Sequence, residues 1–213
     1  MTVSPQDRAV AVAALDVSRE TLDRLDRYAG AISNWRRMLN LVSPGTLPQL
    51  WTRHILDSAQ LFALAPATAL RWVDLGSGGG FPGLVIAAMG ADRIGFETIL
   101  VESDQRKAAF LRTAAREMGL TDRLQVHARR AEDVVAGIGS VDVVSARALA
   151  PLRDLVHLSA PLLEGGALGV YPKGESIQRE LTQWGPPDRF DVSLAPSRTH
   201  PSAAIALVRV RAE

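Results

Sequence analysis

Four carboxylates and a glycine run are spaced as a ligand-binding edge would need them. Asp74 closes the apolar segment "RWVDLG" (71–76) and runs into "GSGGGFPG" (76–83). Glu102 closes "TILVES" (98–103), and Glu132 and Asp133 follow "LQVHA" (124–128) in "HARRAEDV". Glycines at such a turn adopt left-handed backbone and let the chain approach a ligand closely. Three ligand classes use a turn of this kind: a dinucleotide, a nucleoside triphosphate and S-adenosylmethionine. The triphosphate reading fails, because no G-K-[ST] follows and Lys173 in "PKGES" stands in the wrong order.

A G-x-G-x-x-G does occur at Gly78, Gly80 and Gly83, but alone it is a weak signal. An acid at Asp74 would repel a passing pyrophosphate. The register D-x-G-x-G-x-G, formed by Asp74, Gly76, Gly78 and Gly80, instead suits a ligand carrying a sulfonium and an ammonium group. Pro82 belongs in the first turn of the next helix, whose amides and dipole are then expected to face a ligand carboxylate. Glu102 is placed to grip ribose hydroxyls, and the Ala131 amide with Glu132 to meet an adenine ring. Each acid also has a plainer reading, as a solvated strand end or as a complement to a helix dipole.

These residues need a scaffold, and the apolar periodicity describes one. Strands are expected at 71–76, 98–103, 124–128, 141–146, 166–172, 190–196 and 203–211. Helices are expected at 82–89, 104–118 and 151–163 between them. Strand–helix alternation implies a parallel sheet covered on both faces. The last two strands have no helix between them and form a hairpin at the sheet edge. This is an α/β chain with a seven-stranded, mostly parallel sheet, a C-terminal antiparallel hairpin and an N-terminal helical extension. That layout suits the Rossmann-like fold of S-adenosylmethionine-dependent methyltransferases better than an NAD fold.

Ahead of the sheet, Leu22, Leu25, Ala29, Ile32, Trp35 and Leu39 give a helix over 18–42, with Ser18 as N-cap and Val17 stapled onto Leu22. "SPGTLP" (43–48) breaks it, and a second helix is expected over about 49–64. The expected division is a helical extension, 1–66, and a methyltransferase core, 67–213.

Composition narrows the class. The 213 residues are 47% hydrophobic, with net charge +1 and no cysteine. Thiol catalysis, thiolate metal sites and disulfides are excluded, which fits a cytoplasmic setting. No apolar run reaches the roughly 18 residues of a membrane span, and no basic region marks the start as a signal peptide. The basic residues are nearly all arginine, Lys107 and Lys173 being the only lysines. Near-neutral charge does not announce a nucleic-acid binder. Arg36, Arg37, Arg129 and Arg130 are candidate phosphate contacts.

Several stretches in order along 34–174 resemble one family: "NLVSP" (40–44), "RHILDS" (53–58), "VDLGSGGGFPG" (73–83), "VESDQRKAAFLR" (101–112), "RAEDV" (130–134), "SARALAPL" (145–152) and "YPKG" (171–174). They are similar to the bacterial 16S rRNA guanine-N7 methyltransferases, the RsmG/GidB family. The resemblance implies transfer of a methyl group from S-adenosylmethionine to N7 of one guanosine in the helix 18 loop of 16S rRNA, with the rRNA or the small subunit as partner and a monomeric enzyme. It implies cofactor contacts at Gly76, Phe81, Ala131, Glu132 and Arg147. Asn40, Arg53, His54, Asp57 and Lys173 fall in motifs expected to line the RNA side, and Asn40, His54, Asp57, Arg147 and Lys173 are the candidate catalytic set. The loop departs from many members, which have another residue between the last two glycines and leucine at the place of Phe81.

Guanine N7 has a lone pair and no proton, so its methylation needs no general base. Asp57 is a candidate for stabilising the cationic product or for orienting His54. A small-molecule S-adenosylmethionine methyltransferase is the alternative enzyme, and a non-catalytic cofactor- or RNA-binding protein is a third reading. Without the resemblance, Arg53 and Asp57 also read as a helix-surface ion pair and Lys173 as a solvated loop lysine.

Overall fold

The computed structural model describes residues 2–185 and 189–211. Seven strands form one sheet: β1 (Arg71–Leu75), β2 (Glu97–Val101), β3 (Leu124–His127), β4 (Val143–Ala146), β5 (Leu168–Lys173), β6 (Phe190–Pro196) and β7 (Ala204–Val210), in the order β3-β2-β1-β4-β5-β7-β6. β1 to β5 pair in parallel, while β7 lies antiparallel to both β5 and β6. All seven expected strands are present, their ends displaced by two residues at most.

The order reverses between β1 and β4, so the carboxyl ends of these strands open a crevice. Because β7 is antiparallel, its first residue, Ala204, pairs with Lys173 at the end of β5. The β6–β7 loop therefore reaches the same edge as the glycine loop.

Side-chain alternation along the strands sends residues to two faces. Val73, Leu75, Val144 and Ala146 pack with α6 (Leu152–Glu164) and with Val134, Val135 and Ile138. The opposite face is covered by α4 (Gly83–Gly90), α5 (Gln105–Glu117) and the N-terminal helices. α1 (Pro5–Ala14) and α2 (Arg19–Trp35) share that core: Leu25, Tyr28 and Ile32 are buried with Leu84, Phe110 and Leu111. Segment 1–66 is thus packed directly against the elements that carry the glycine loop.

Ser18 caps α2 as expected, accepting from the Thr21 amide at 3.0 Å. The helix stops at Trp35, short of the expected 42. Leu39 and Leu41 are both buried with exposed Asn40 between them, an alternation an α-helix cannot supply. The expected helix over 49–64 is a succession of different turns. A 3-10 turn spans Pro44–Gln49, a π-helical turn Trp51–Leu56, and one α-turn, α3, Asp57–Ala59. Asp7 on α1 caps the π-turn, accepting from the Trp51 amide at 2.8 Å and the Thr52 hydroxyl at 2.5 Å. The wide turn carries His54, and Asp57 follows at its C-cap. A further helix, α7 (Ile177–Trp184), follows β5 and, like α1, falls outside the sequence-based expectation.

Candidate active site

Three glycines at alternate positions adopt left-handed backbone, Gly76 at φ 67°, Gly78 at 55° and Gly80 at 94°. This is the register expected from the sequence. Gly79, between them, is packed so that a Cβ would run into the Leu41 carbonyl. The Tyr28 hydroxyl, fully buried on α2, donates to the Gly79 carbonyl at 2.5 Å. The N-terminal segment therefore shapes the loop through both a hydrogen bond and direct contact.

Asp74 lies behind the loop and takes no part in lining the cavity in front of it. Fully buried, it accepts from the Ser145 hydroxyl at 2.8 Å and the Gly83 amide at 3.1 Å. Ser145 in turn accepts from the Trp72 indole N–H at 2.9 Å. Burial raises the pKa of Asp74 to about 6, opposed by these hydrogen bonds and by the charge of Arg147. The expectation that Asp74 faces the ligand is corrected: it braces the loop and caps α4. The Gly83 amide, expected to face a ligand carboxylate, is already taken by Asp74. Gly80 likewise packs inward, against Leu84 and Tyr28.

In front of the loop a cavity of about 900 Å³ opens along the carboxyl edge. Gly76, Gly78, Phe81, Glu102 and Lys107 line it on the β1–β2 side, and Arg147 lines it after β4. Arg53, His54, Asp57, Lys173, Glu175 and Thr199 line it on the other. Glu102 is almost fully buried, and its carboxylate accepts from the Gly78 and Asp104 amides, both at 2.8 Å. Glu102 thus fixes the glycine loop while presenting its remaining lone pairs. Ala131 and Glu132 stand on a 3-10 turn after β3, Glu132 exposed, and neither belongs to this cavity wall.

Arg147, directly after β4, is the centre of the site. It donates to His54 Nδ1 at 3.1 Å and pairs with Asp57 at 3.6 Å. Its guanidinium also lies 5.0 Å from the centroid of the Phe81 ring, and His54 packs on the same ring at 5.1 Å. The ion pair weighed between Arg53 and Asp57 is replaced by one between Arg147 and Asp57.

His54 Nε2 lies 2.9 Å from the Thr46 hydroxyl, which donates to the Ser43 carbonyl at 3.0 Å. Thr46 must then accept from Nε2–H, leaving Nδ1 as the acceptor for Arg147. His54 is neutral in this network. Burial, then the charges of Arg147 and Arg53, lower its pKa to about 4. Burial likewise lowers the pKa of Arg147, partly offset by Asp57.

Past Arg147 the backbone turns sharply. Ala148 adopts φ 54°, unusual for a residue with a side chain. This aims Leu149, 42% exposed, over Gly76, where a Cβ would come within 2.8 Å of it. Lys173 is far from a solvated lysine. It pairs with Glu180 at 2.7 Å and donates to the Ala150 carbonyl at 3.1 Å. Glu180 also accepts from the Leu152 amide and the Ser176 hydroxyl. Lys173 therefore anchors the β4–α6 loop rather than projecting a free ammonium. Asn40 is exposed beside Leu41.

Sequence reasoning missed Tyr28, Gln60, Leu149, Glu180 and Thr199. An acid at Glu180 inside an amphipathic helix, and a glutamine three residues after Asp57, were the available signals.

The sheet order, glycine loop and carboxyl-edge cavity define the fold of S-adenosylmethionine-dependent methyltransferases. Solved structures share it over nearly the whole chain. An O-methyltransferase from Bacillus cereus in complex with SAH superposes with TM-score 0.62 at 16% identity, covering 98% of both chains. The O-methyltransferase TomG from Streptomyces achromogenes, in complex with SAM, gives 0.62 at 18%, covering 100% of both. The family model for rRNA small subunit methyltransferase G matches residues 21–186. Ribosomal RNA small subunit methyltransferase G of Parvibaculum lavamentivorans is 50% identical over 92% of this chain and 86% of the relative. That of Methylobacterium nodulans is 47% identical over 98% and 96%. The chain belongs to the rRNA small subunit methyltransferase G family, and it is an S-adenosylmethionine-dependent rRNA methyltransferase. Among the described residues no helix is long and apolar enough to cross a membrane.

The residues present fit that cofactor. The glycine loop brings backbone to the cavity floor where a Cβ at Gly76 would be blocked, with a carboxylate at Glu102 and a guanidinium at Arg147 on either side. These are complementary to a ribose diol and to an amino-acid carboxylate.

Proposed function

We propose that the chain methylates N7 of a single guanosine in the helix 18 loop of 16S rRNA, as a monomer in the cytoplasm, with naked rRNA or an assembling small subunit as substrate. The observation that carries the reading is the occupied state of the two candidate bases, His54 and Lys173. Both ring nitrogens of His54 are engaged, its pKa is depressed to about 4, and Lys173 is held by Glu180. Such a site suits a nucleophile that has no proton to lose. S-adenosylmethionine supplies an electrophilic methyl group.

The chain's own task is binding, orientation and exclusion of water. Gly76, Gly78 and Phe81 hold the cofactor's place, Glu102 the ribose and Arg147 the carboxylate, while Ala131 and Glu132, which stand outside the cavity wall, reach the adenine only at its outer edge. Asn40 and Arg53 face the RNA. Asp57, tied to Arg147, adds negative charge near a base that becomes cationic. His54 orients Arg147, and Lys173 fixes the loop that presents Leu149.

Mapping 7-methylguanosine in rRNA from cells with and without the gene tests the reading. The mark at the helix 18 loop is expected to vanish and to return with the wild-type gene but not with Gly78→Asp. A mark that persists without the gene rejects it.

A further inference from the structure

Gln60 has no role in either the cofactor reading or the proposed chemistry, yet it is 7% exposed and makes a dense set of polar contacts. Its Nε2 donates to the Asp57 carbonyl at 3.1 Å and to Asp57 Oδ1 at 2.9 Å. The same nitrogen reaches the Ser197 hydroxyl at 3.3 Å and the Thr199 hydroxyl at 3.4 Å. Its Oε1 accepts from the Arg198 amide at 2.8 Å. Thr199 closes the ring, donating to Asp57 Oδ1 at 2.5 Å. One side chain thus joins the residue that pairs with Arg147 to a loop about 140 residues further along the chain.

That loop has a defined place. The cofactor sits at the ends of β1 and β2 in this fold, so the cavity beyond β4 and β5 is left for the nucleotide that receives the methyl group. Ser197, Thr199 and His200 line this far side. The antiparallel setting of β7 puts them there, and a loop is otherwise poorly fixed, since its backbone groups have no ladder to join. Here the Ser197 hydroxyl accepts from the Thr199 and His200 amides within the loop, and Gln60 accepts from the Arg198 amide and ties the loop to the rest of the fold.

We propose that Gln60 is a positioning residue for the RNA substrate. It clamps the Ser197–His200 loop to Asp57, and so holds the wall facing the glycine loop at the spacing the target nucleotide requires. The inference uses only small-subunit rRNA methylation as such and is independent of which atom or helix is modified.

The test is steady-state methyl incorporation into small-subunit rRNA with separate measurement of cofactor binding, for Gln60→Met, Thr199→Val and the double variant. Gln60→Met is expected to raise KM for RNA about tenfold, with kcat within about threefold and cofactor Kd within about twofold. Thr199→Val is expected to act in the same direction, and the double variant to fall short of the sum, because both substitutions open one ring. An RNA KM within twofold of wild type in both single variants overturns the proposal. So does a cofactor Kd that rises in step with KM, which marks general loss of packing. Should Gln60→Met fail to fold, Thr199→Val, on the loop itself, decides the same question with the same two readouts.

Discussion

Arg147 spends one guanidinium nitrogen on His54 and another on Asp57, so a residue at the end of β4 is held by two side chains of the turn preceding β1. The pairing requires a histidine that is neutral, since a protonated ring would present N–H to N–H. His54 can then serve as a gauge of pH.

Its pKa falls from 6.5 to about 4 on folding. The unfolded chain takes up the proton first as pH drops, so His54's contribution is complete above pH 6.5 and is lost as pH falls towards 4. Asp74 has the opposite sign. Its pKa rises from 3.8 to about 6, so its burial penalty is absent below pH 3.8 and complete above 6. In wild type the two slopes oppose each other. Replacing His54 by Gln leaves Asp74 alone, and the variant should gain on wild type by about 1 kcal/mol between pH 7 and 5, allowing for the partial exposure of the ring. Urea denaturation at the two pH values measures this; parallel behaviour of the two proteins would remove the neutral-histidine assignment.

Tyr28→Phe keeps the ring against Phe81, at 5.1 Å between centroids, and deletes only the hydroxyl on Gly79. Stability should fall by about 1–2 kcal/mol, the cost of leaving a buried carbonyl without its donor. Cofactor affinity should weaken with it, although Tyr28 does not line the cavity. Denaturation and calorimetric titration report the two effects; unchanged cofactor affinity would separate the helix from the loop.

Glycine substitutions should divide sharply. Gly79→Ala drives a methyl group into the Leu41 backbone and should cost at least tenfold in cofactor affinity, about 1.4 kcal/mol. Gly174→Ala meets nothing within 4 Å and should stay within about 0.5 kcal/mol of wild-type stability. Equal effects at both positions would discount the close approach.

The pair of Lys173 and Glu180 is little exposed, at 10% and 17%. Lys173→Met should destabilise by about 3 kcal/mol, because Glu180 keeps a charge with no cation beside it. Adding Glu180→Gln should recover part of the loss. Were Lys173 a direct RNA ligand instead, the double variant would regain stability without changing the KM for RNA relative to the single one.

Much of this architecture could be read before the fold was known. Short apolar runs give all seven strands, because a sheet covered on both faces buries both sides of its central strands. The positive φ values of Gly76, Gly78 and Gly80 follow the glycine spacing. Local patterns could not reveal where segments meet. The α2 helix ends early because Leu39 and Leu41 are drawn into the core and onto Gly79. Asp74 looks like a ligand group until Ser145, 71 residues later, is seen to use one oxygen. Lys173 looks free until Glu180 arrives on α7, whose amphipathic pattern marks a helix but not the lysine it meets. Gln60 and Thr199 have meaning only together, and their separation along the chain hides it.

The position of β7 between β5 and β6 has a consequence for biosynthesis. A ribosome makes β7 after every strand it touches, so β5 stands with an open edge and β6 without a sheet to join until it arrives. The glycine loop can close against α2 and α5 well before then. The chain therefore completes the glycine-loop end of its cavity early in synthesis and the end walled by the β6–β7 loop last.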